Sequence, residues 1–186
     1  MALLGFSLYF LNYQPYLAAR SFGESKEAGL SITERLALSE NSFRAFPAMA
    51  NLPRRLAFLE LARVWGFLSP DERKQAYEFF GREANTGLST DPYDAPLLIS
   101  SLLFIQFTAQ DTIAPAYVEP MLRQLLNIAP NRAETHQIMA NHALWLGEYS
   151  QAISITEAYE ARAPGTKWFF TEVKRAAQER LQQGLD

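Results

Sequence analysis

The sequence predicts an all-α chain built as an array of helix pairs. Three observations predict it. Apolar residues recur at spacings of three and four along nearly the whole chain, helix-capping signals punctuate that pattern at short intervals, and Pro130 and Pro164, each placed to end a helix, are spaced by the length of one helix pair. No stretch alternates polar and apolar residues over strand length, so no sheet is expected. With 186 residues, 48% of them apolar and 20% charged, the chain can bury a sizeable core.

The first eleven residues, Met1 to Leu11, carry no charged side chain. They are too few to cross a bilayer, which needs about 20 apolar residues. They also lack the basic start and small-residue cleavage site of a signal peptide. Two readings stay open: an ordinary buried first helix, or the end of a longer membrane helix. Residues 1–14 are set apart on this account from a helical repeat domain over 15–186.

Pro15 fits a first helical turn and opens a helix over 15–29. Ser31 followed by Glu34 is a capping box, in which serine oxygen and glutamate satisfy orphan amides reciprocally, and it opens 31–41. Residues 41–52 read as irregular but packed down, because they hold Phe43, Phe46 and Met49. A helix over 53–68 shows Phe58, Leu61, Ala62, Trp65 and Leu68 on one face. Ser69, Pro70, Asp71 and Glu72 form a second capping box with two acids beside the positive helix end. They open 70–88, with Tyr77, Phe80, Ala84 and Leu88 inward. In 92–109, the run from Leu97 to Ile105 reads as buried on most sides. Helix 113–128 turns Val118, Leu122 and Leu125 inward. Asn131 and Glu134 repeat the capping device at the start of 132–146, whose inward residues are His136, Met139, Ala140 and Ala143, and Gly147 ends it. Helix 149–163 carries Ala152, Ile155 and Tyr159 and stops at Pro164 and Gly165. Thr166 is placed to cap the last helix, 167–184, with Phe170, Val173, Ala177 and Leu181 inward.

Periodicity turns this string of helices into an architecture. The interval between Pro130 and Pro164 matches the tetratricopeptide period of about 34 residues. Ala140 and Ala152 supply small residues where two helices must cross closely. The predicted fold is therefore a right-handed α-solenoid of three to four tetratricopeptide-like pairs with a terminal capping helix. Upstream the spacing loosens. Pro96 lies one period before Pro130, whereas Pro92 lies four residues too far from it, with the extra residues assigned to Gln110–Pro115.

Chemical signatures are sparse. The net charge of −3 comes without a basic stripe, which argues against a nucleic-acid partner. No cysteine is present, excluding disulfides, thiolate metal sites and a cysteine nucleophile. His136 and His142 are six residues apart, about 240° around a helix, and cannot chelate one metal together. Asp71 and Glu72 are explained by helix-end electrostatics. There is no phosphate loop, nucleophile elbow or HExxH motif. The expectation is a domain without catalytic residues, metal or cofactor. Trp65, Trp145 and Trp168 read first as core. In the repeat register, however, Glu134, Gln137, Asn141 and Trp145 fall on the inner face of their helix, the face that lines the concave groove of such solenoids. An aromatic beside amides suits a peptide, protein or glycan ligand. These four are the candidate binding residues.

Several stretches resemble the C-terminal, membrane-proximal tetratricopeptide region of O-antigen ligase/polymerase-like membrane proteins. Phe10 to Arg20 is similar to the exit from their last membrane helix, and Leu36 to Phe43 to the short repeat that follows. Arg55 to Ala62, Leu68 to Gln75 and Ser89 to Ala95 resemble the next helix pair and the turn beyond it. The shared features are caps and apolar spacings. The resemblance implies a non-catalytic scaffold or interaction domain in bacterial cell-surface polysaccharide assembly. It would sit on the periplasmic side of the inner membrane, joined to the membrane through the N-terminal segment. The glycan-transfer chemistry would belong to a membrane region outside this sequence. The alternative is a stand-alone cytoplasmic adaptor that binds a peptide or protein.

Overall fold

The computed structural model describes residues 13–27, 29–108 and 115–184. Among them the chain is all-helical, with nine α-helices and no strand. The helices are α1 (Gln14–Glu24), α2 (Ile32–Ala45), α3 (Asn51–Val64), α4 (Pro70–Thr90), α5 (Ala95–Thr108), α6 (Pro115–Ile128), α7 (Ala133–Leu146), α8 (Tyr149–Arg162) and α9 (Lys167–Gln182). Short 3-10 turns occupy Pro47–Met49, Trp65–Phe67 and Pro164–Thr166. The chain forms two compact units, Met1–Ser100 and Ser101–Asp186. Residues 1–12 of the N-terminal segment expected at 1–14, and 110–114 of the insertion expected at 110–115, lie outside the described residues.

In the first unit α1 pairs with α2, and α2 packs on both α3 and α4, which also pack on each other. The serine caps are as the sequence predicts. Ser31 accepts the Glu34 amide and Ser69 the Glu72 amide, while each glutamate reaches back to its serine N–H at 2.8 Å. Phe58, Leu61, Phe79 and Phe80 form the apolar centre, with Phe58 edge-on to Phe80 at 4.9 Å.

Two expectations fail here. The first helix stops at Glu24 rather than 29, because Ser25 turns its hydroxyl onto the Phe22 carbonyl and Gly29, at φ +88°, reverses the chain ahead of the Ser31 cap. The segment 41–52 is not irregular. Helix α2 continues to Ala45 and α3 begins at Asn51. Only Phe46 is forced out of helical geometry, as the residue before Pro47. Phe43 packs down as expected, but Met49 is 57% exposed.

In the second unit α6 packs on α7, α7 on α8, and α9 on both α8 and α7. Ala140 and Ala152, the predicted crossing residues, are both wholly buried. Ala152 meets Ala143 and Ala177, so three alanines let α7, α8 and α9 approach closely. The starts recur at the period read from the prolines: α6 begins at 115 and α8 at 149, while α7 begins at 133 and α9 at 167. Gly147 closes α7 in the left-handed region at φ +82°.

The other termini in this unit differ from the sequence reading. Arg132, not Asn131, is the N-cap of α7, and it makes no side-chain cap; the Asn131 carbonyl instead accepts the Tyr159 hydroxyl at 2.9 Å. Thr166 does not cap α9, because its hydroxyl donates backward to the Ala163 carbonyl at 2.6 Å. Gly165 is not a left-handed terminator; Pro164 ends α8, and the glycine sits in the following 3-10 turn. In the first unit, the helix expected from 92 starts at Ala95, since Asp94 accepts the Leu97 amide at 2.8 Å as a cap would. Its run from Leu97 to Ile105 is buried apart from Leu103, which is only partly covered.

Candidate functional site

Helical geometry gathers the four predicted residues on one side of α7. Steps of three, four and four keep Glu134, Gln137, Asn141 and Trp145 within about 80° of one another. The neighbouring arc, with Thr135, Ile138, His142 and Ala143, is buried. All four candidates are half-buried.

Their polar groups are partly engaged. Gln137 Nε2 donates to the Phe169 carbonyl at 3.2 Å and so ties α7 to the first turn of α9. Glu134 meets Arg132 at 3.3 Å. Burial alone would raise its carboxyl, but its own backbone amide and Arg132 outweigh that and hold it below the usual carboxylate range. Trp145 stands edge-on to His142 at 5.9 Å.

The structure adds a second half to this face. Carried forward by the offset between the starts of α7 and α9, the four positions become Trp168, Thr171, Arg175 and Glu179. All four are exposed, Trp168 at 75%, so the reading of Trp168 as core is wrong. Its indole packs edge-on to Phe169, the residue whose carbonyl holds Gln137. Arg175 is held by Glu172 at 2.6 Å and Glu179 at 2.9 Å. The signal for these residues was present in the sequence: the repeat period applied once more, past the last proline.

The two histidines lie on different parts of α7, His142 on the buried arc beside the candidate face and His136 farther round. His136 Nε2 sits 2.9 Å from the Pro130 carbonyl, and its ring packs against Tyr159, tilted by 39°, at 4.5 Å between centroids. His142 is buried, and neither ring nitrogen has a hydrogen-bond partner. Burial lowers the pKa of both. Among the described residues no group of three or more histidines and carboxylates is placed to hold a metal ion.

The first unit holds features the sequence did not announce. Arg54 and Glu83 form a buried ion pair at 3.1 Å. Arg54 also reaches Asn51 at 3.1 Å, Asn51 reaches Asp94 at 3.0 Å, and Arg82 joins Glu83 to Glu40. This polar seam ties α2, α3, α4 and the start of α5 together. Two recesses lie nearby. One, of about 410 Å³, opens beside Phe22, Arg35, Leu61 and Val64. Of its three cations, Arg35 donates to the Leu30 and Glu27 carbonyls, Arg63 donates to Glu60, and Lys26 lies over the Phe22 ring at 4.5 Å. The other, of about 250 Å³, runs between α1 and α3 and has no charged residue in its wall.

No family model, curated protein or solved structure matches this chain.

Proposed function

We propose that this chain is a non-catalytic, tetratricopeptide-like scaffold, a right-handed α-solenoid whose α7 and α9 face takes a protein or glycan partner. Its setting in this proposal is an O-antigen ligase/polymerase-like membrane protein that assembles bacterial cell-surface polysaccharide. The helical domain lies on the periplasmic side of the inner membrane, and the N-terminal segment engages the membrane. The observation that carries the repeat reading is the arrangement of α7, α8 and α9. They have starts that recur at the tetratricopeptide period, buried alanines at the crossings, and a third helix that touches both members of the pair before it. In such arrays the first helix of each pair lines the groove, which puts Glu134, Gln137, Asn141 and Trp145 beside Trp168, Thr171, Arg175 and Glu179. Two tryptophans among amides and ion-paired side chains offer stacking surface and hydrogen bonds together, the combination that sugar rings and extended peptides use.

The test is titration of the full chain with lipid-free O-polysaccharide and, separately, with a random peptide library displayed on phage. Tryptophan fluorescence reads the first and enrichment reads the second. Binding that weakens at least tenfold in Trp145→Ala and in Trp168→Ala, both still helical by circular dichroism, supports the reading. Polysaccharide binding assigns the glycan setting, whereas peptide binding alone favours the stand-alone adaptor. If neither probe binds, or binding ignores both tryptophans, the groove assignment fails.

A further inference from the structure

The groove between α1 and α3 has surroundings that point to one occupant. Its wall is Pro15, Ala18 and Phe22 from α1 and, on the other side, Leu52 and Leu56 of α3 with Met49 ahead of them. No charged side chain enters it, and its one polar member from α2, Ser42, is buried with no hydrogen-bond partner for its hydroxyl. The apolar surface continues outward. Met49, Leu52, Leu56 and Leu59 are 57%, 48%, 40% and 42% exposed, and the last three follow one another at spacings of four and three along α3. On α1, Tyr13 and Tyr16 are 52% and 58% exposed on a single face. Both stripes end in a cation one turn further on: Arg20 after Tyr16, Arg63 after Leu59, each paired with a glutamate.

Two facts single out one occupant for this surface. The first is the sequence that leads into it. Ala2 to Leu11 carry no charge, and Pro15 of the groove wall follows Leu11 by four residues. The second is the set of residue types. Exposed aliphatic side chains along α3, tyrosines along α1 and an arginine with a long apolar stem after each stripe are the residue types that a membrane–water interface accommodates together. A protein partner would require neither the uncharged lead-in nor the aromatic and cationic edge. We propose that the α1–α3 face lies in the interfacial layer of a lipid bilayer, so that the folded unit itself, and not only the segment before it, rests on the membrane. This rests on the membrane setting proposed above but adds a surface to it.

The chain has no cysteine, so Leu56→Cys provides a single attachment point for an environment-sensitive fluorophore, and Lys74→Cys, on exposed α4, provides a control. Full-length protein is mixed with phosphatidylcholine vesicles and with vesicles of three parts phosphatidylcholine to one of phosphatidylglycerol. Emission and cosedimentation are followed. The expected result is a blue shift for the label at position 56 and none at 74. The double variant Leu52→Glu, Leu56→Glu should cosediment at least tenfold less while keeping its helicity and melting midpoint, because both leucines are already exposed. Binding that persists unchanged in the double variant, with an unshifted label at 56, overturns the inference and leaves a membrane role to residues 1–12 alone. Loss of a dimer in the double variant without any vesicle effect overturns it in favour of a second copy of the chain. Absence of vesicle binding by the full chain overturns it together with the membrane setting, and leaves the α7–α9 groove to its own titration.

Discussion

A methyl group added at Gly87 would stand 2.6 Å from Leu97 Cδ2, 2.9 Å from Asn51 Oδ1 and 3.3 Å from Arg54 Cδ. None of these atoms yields easily: Leu97 is wholly buried, Asn51 Oδ1 accepts from Arg54, and Arg54 is fixed by Glu83. Gly87→Ala should therefore destabilise the chain by about 1–3 kcal/mol despite the better helix propensity of alanine. Chemical denaturation measures this, and a midpoint equal to or above wild type would contradict the close approach of α3, α4 and α5. The ion pair beside it allows a sharper experiment. Arg54→Met alone leaves Glu83 buried with only Arg82, whose side chain is half-exposed, as its cation, and should cost about 3–5 kcal/mol. Adding Glu83→Leu should recover much of that loss, because two apolar side chains tolerate burial where a lone carboxylate does not. If the double variant is no more stable than the single one, Arg54 and Glu83 are not coupled as described.

At the scale of the helix, the contrast between caps separates what sequence can specify from what packing decides. Ser69 accepts the Glu72 amide and receives the glutamate in return, so Ser69→Ala should cost about 1 kcal/mol. Thr166→Ala should cost well under half of that, because Thr166 holds a carbonyl of the preceding turn and leaves the α9 amides alone. A guanidinium melt of the two variants side by side tests the ranking. Both residues look like N-caps in the sequence. Ser69 has local partners, a proline after it and a glutamate three residues on, and local chemistry was enough. Thr166 follows Pro164 and Gly165, whose 3-10 turn swings its hydroxyl backward, and nothing within one turn encodes that. The same division runs through the molecule. The described helices and the alanine crossings were legible, because apolar period and small residues are local signals. The end of α1, the continuity of α2 and the start of α5 were misjudged by several residues, because Gly29, Pro47 and Asp94 set them in ways periodicity does not register. The α7 half of the candidate face followed from the repeat. The α9 half was missed because Trp168 resembles core when its neighbours are unknown. The Arg54–Glu83 seam was invisible, since its members lie on different helices and each occupies an ordinary helical position.

At the scale of the whole chain, the two histidines with lowered pKa values fall in one unit and the two capping-box glutamates in the other, and this predicts two separate responses to acid. His136 and His142 belong to the second unit. Burial lowers both below 6.5; for His136 the Pro130 carbonyl opposes the shift and Arg162 adds to it, and for His142 Glu119 on α6 and Glu148 after α7 oppose it. Unfolded, both histidines titrate near 6.5. As pH falls from about 6.5 toward their lower folded values, the unfolded chain therefore binds more protons than the folded one, and stability drops through that window. Glu34 and Glu72 belong to the first unit, where the hydrogen bonds of Ser31 and Ser69 hold them below 4.5. Their contribution is whole above about 4.5 and is lost only as pH falls through their own folded values. Moving from about pH 7.5 to about pH 5 should thus lower the melting midpoint and weaken α7 and α8 selectively, with α2 and α4 following only at more acidic pH. Amide hydrogen exchange corrected for intrinsic rates resolves the two regions. His142→Leu, which replaces two unsatisfied buried nitrogens by an apolar side chain, should reduce the first step to the part that His136 supplies and leave the second unchanged. Ser69→Ala should alter the second and spare the first. A wild-type midpoint that stays level between about pH 7.5 and 5, or an acid step that survives His142→Leu in full, would show that His142 does not titrate from the buried position described for it.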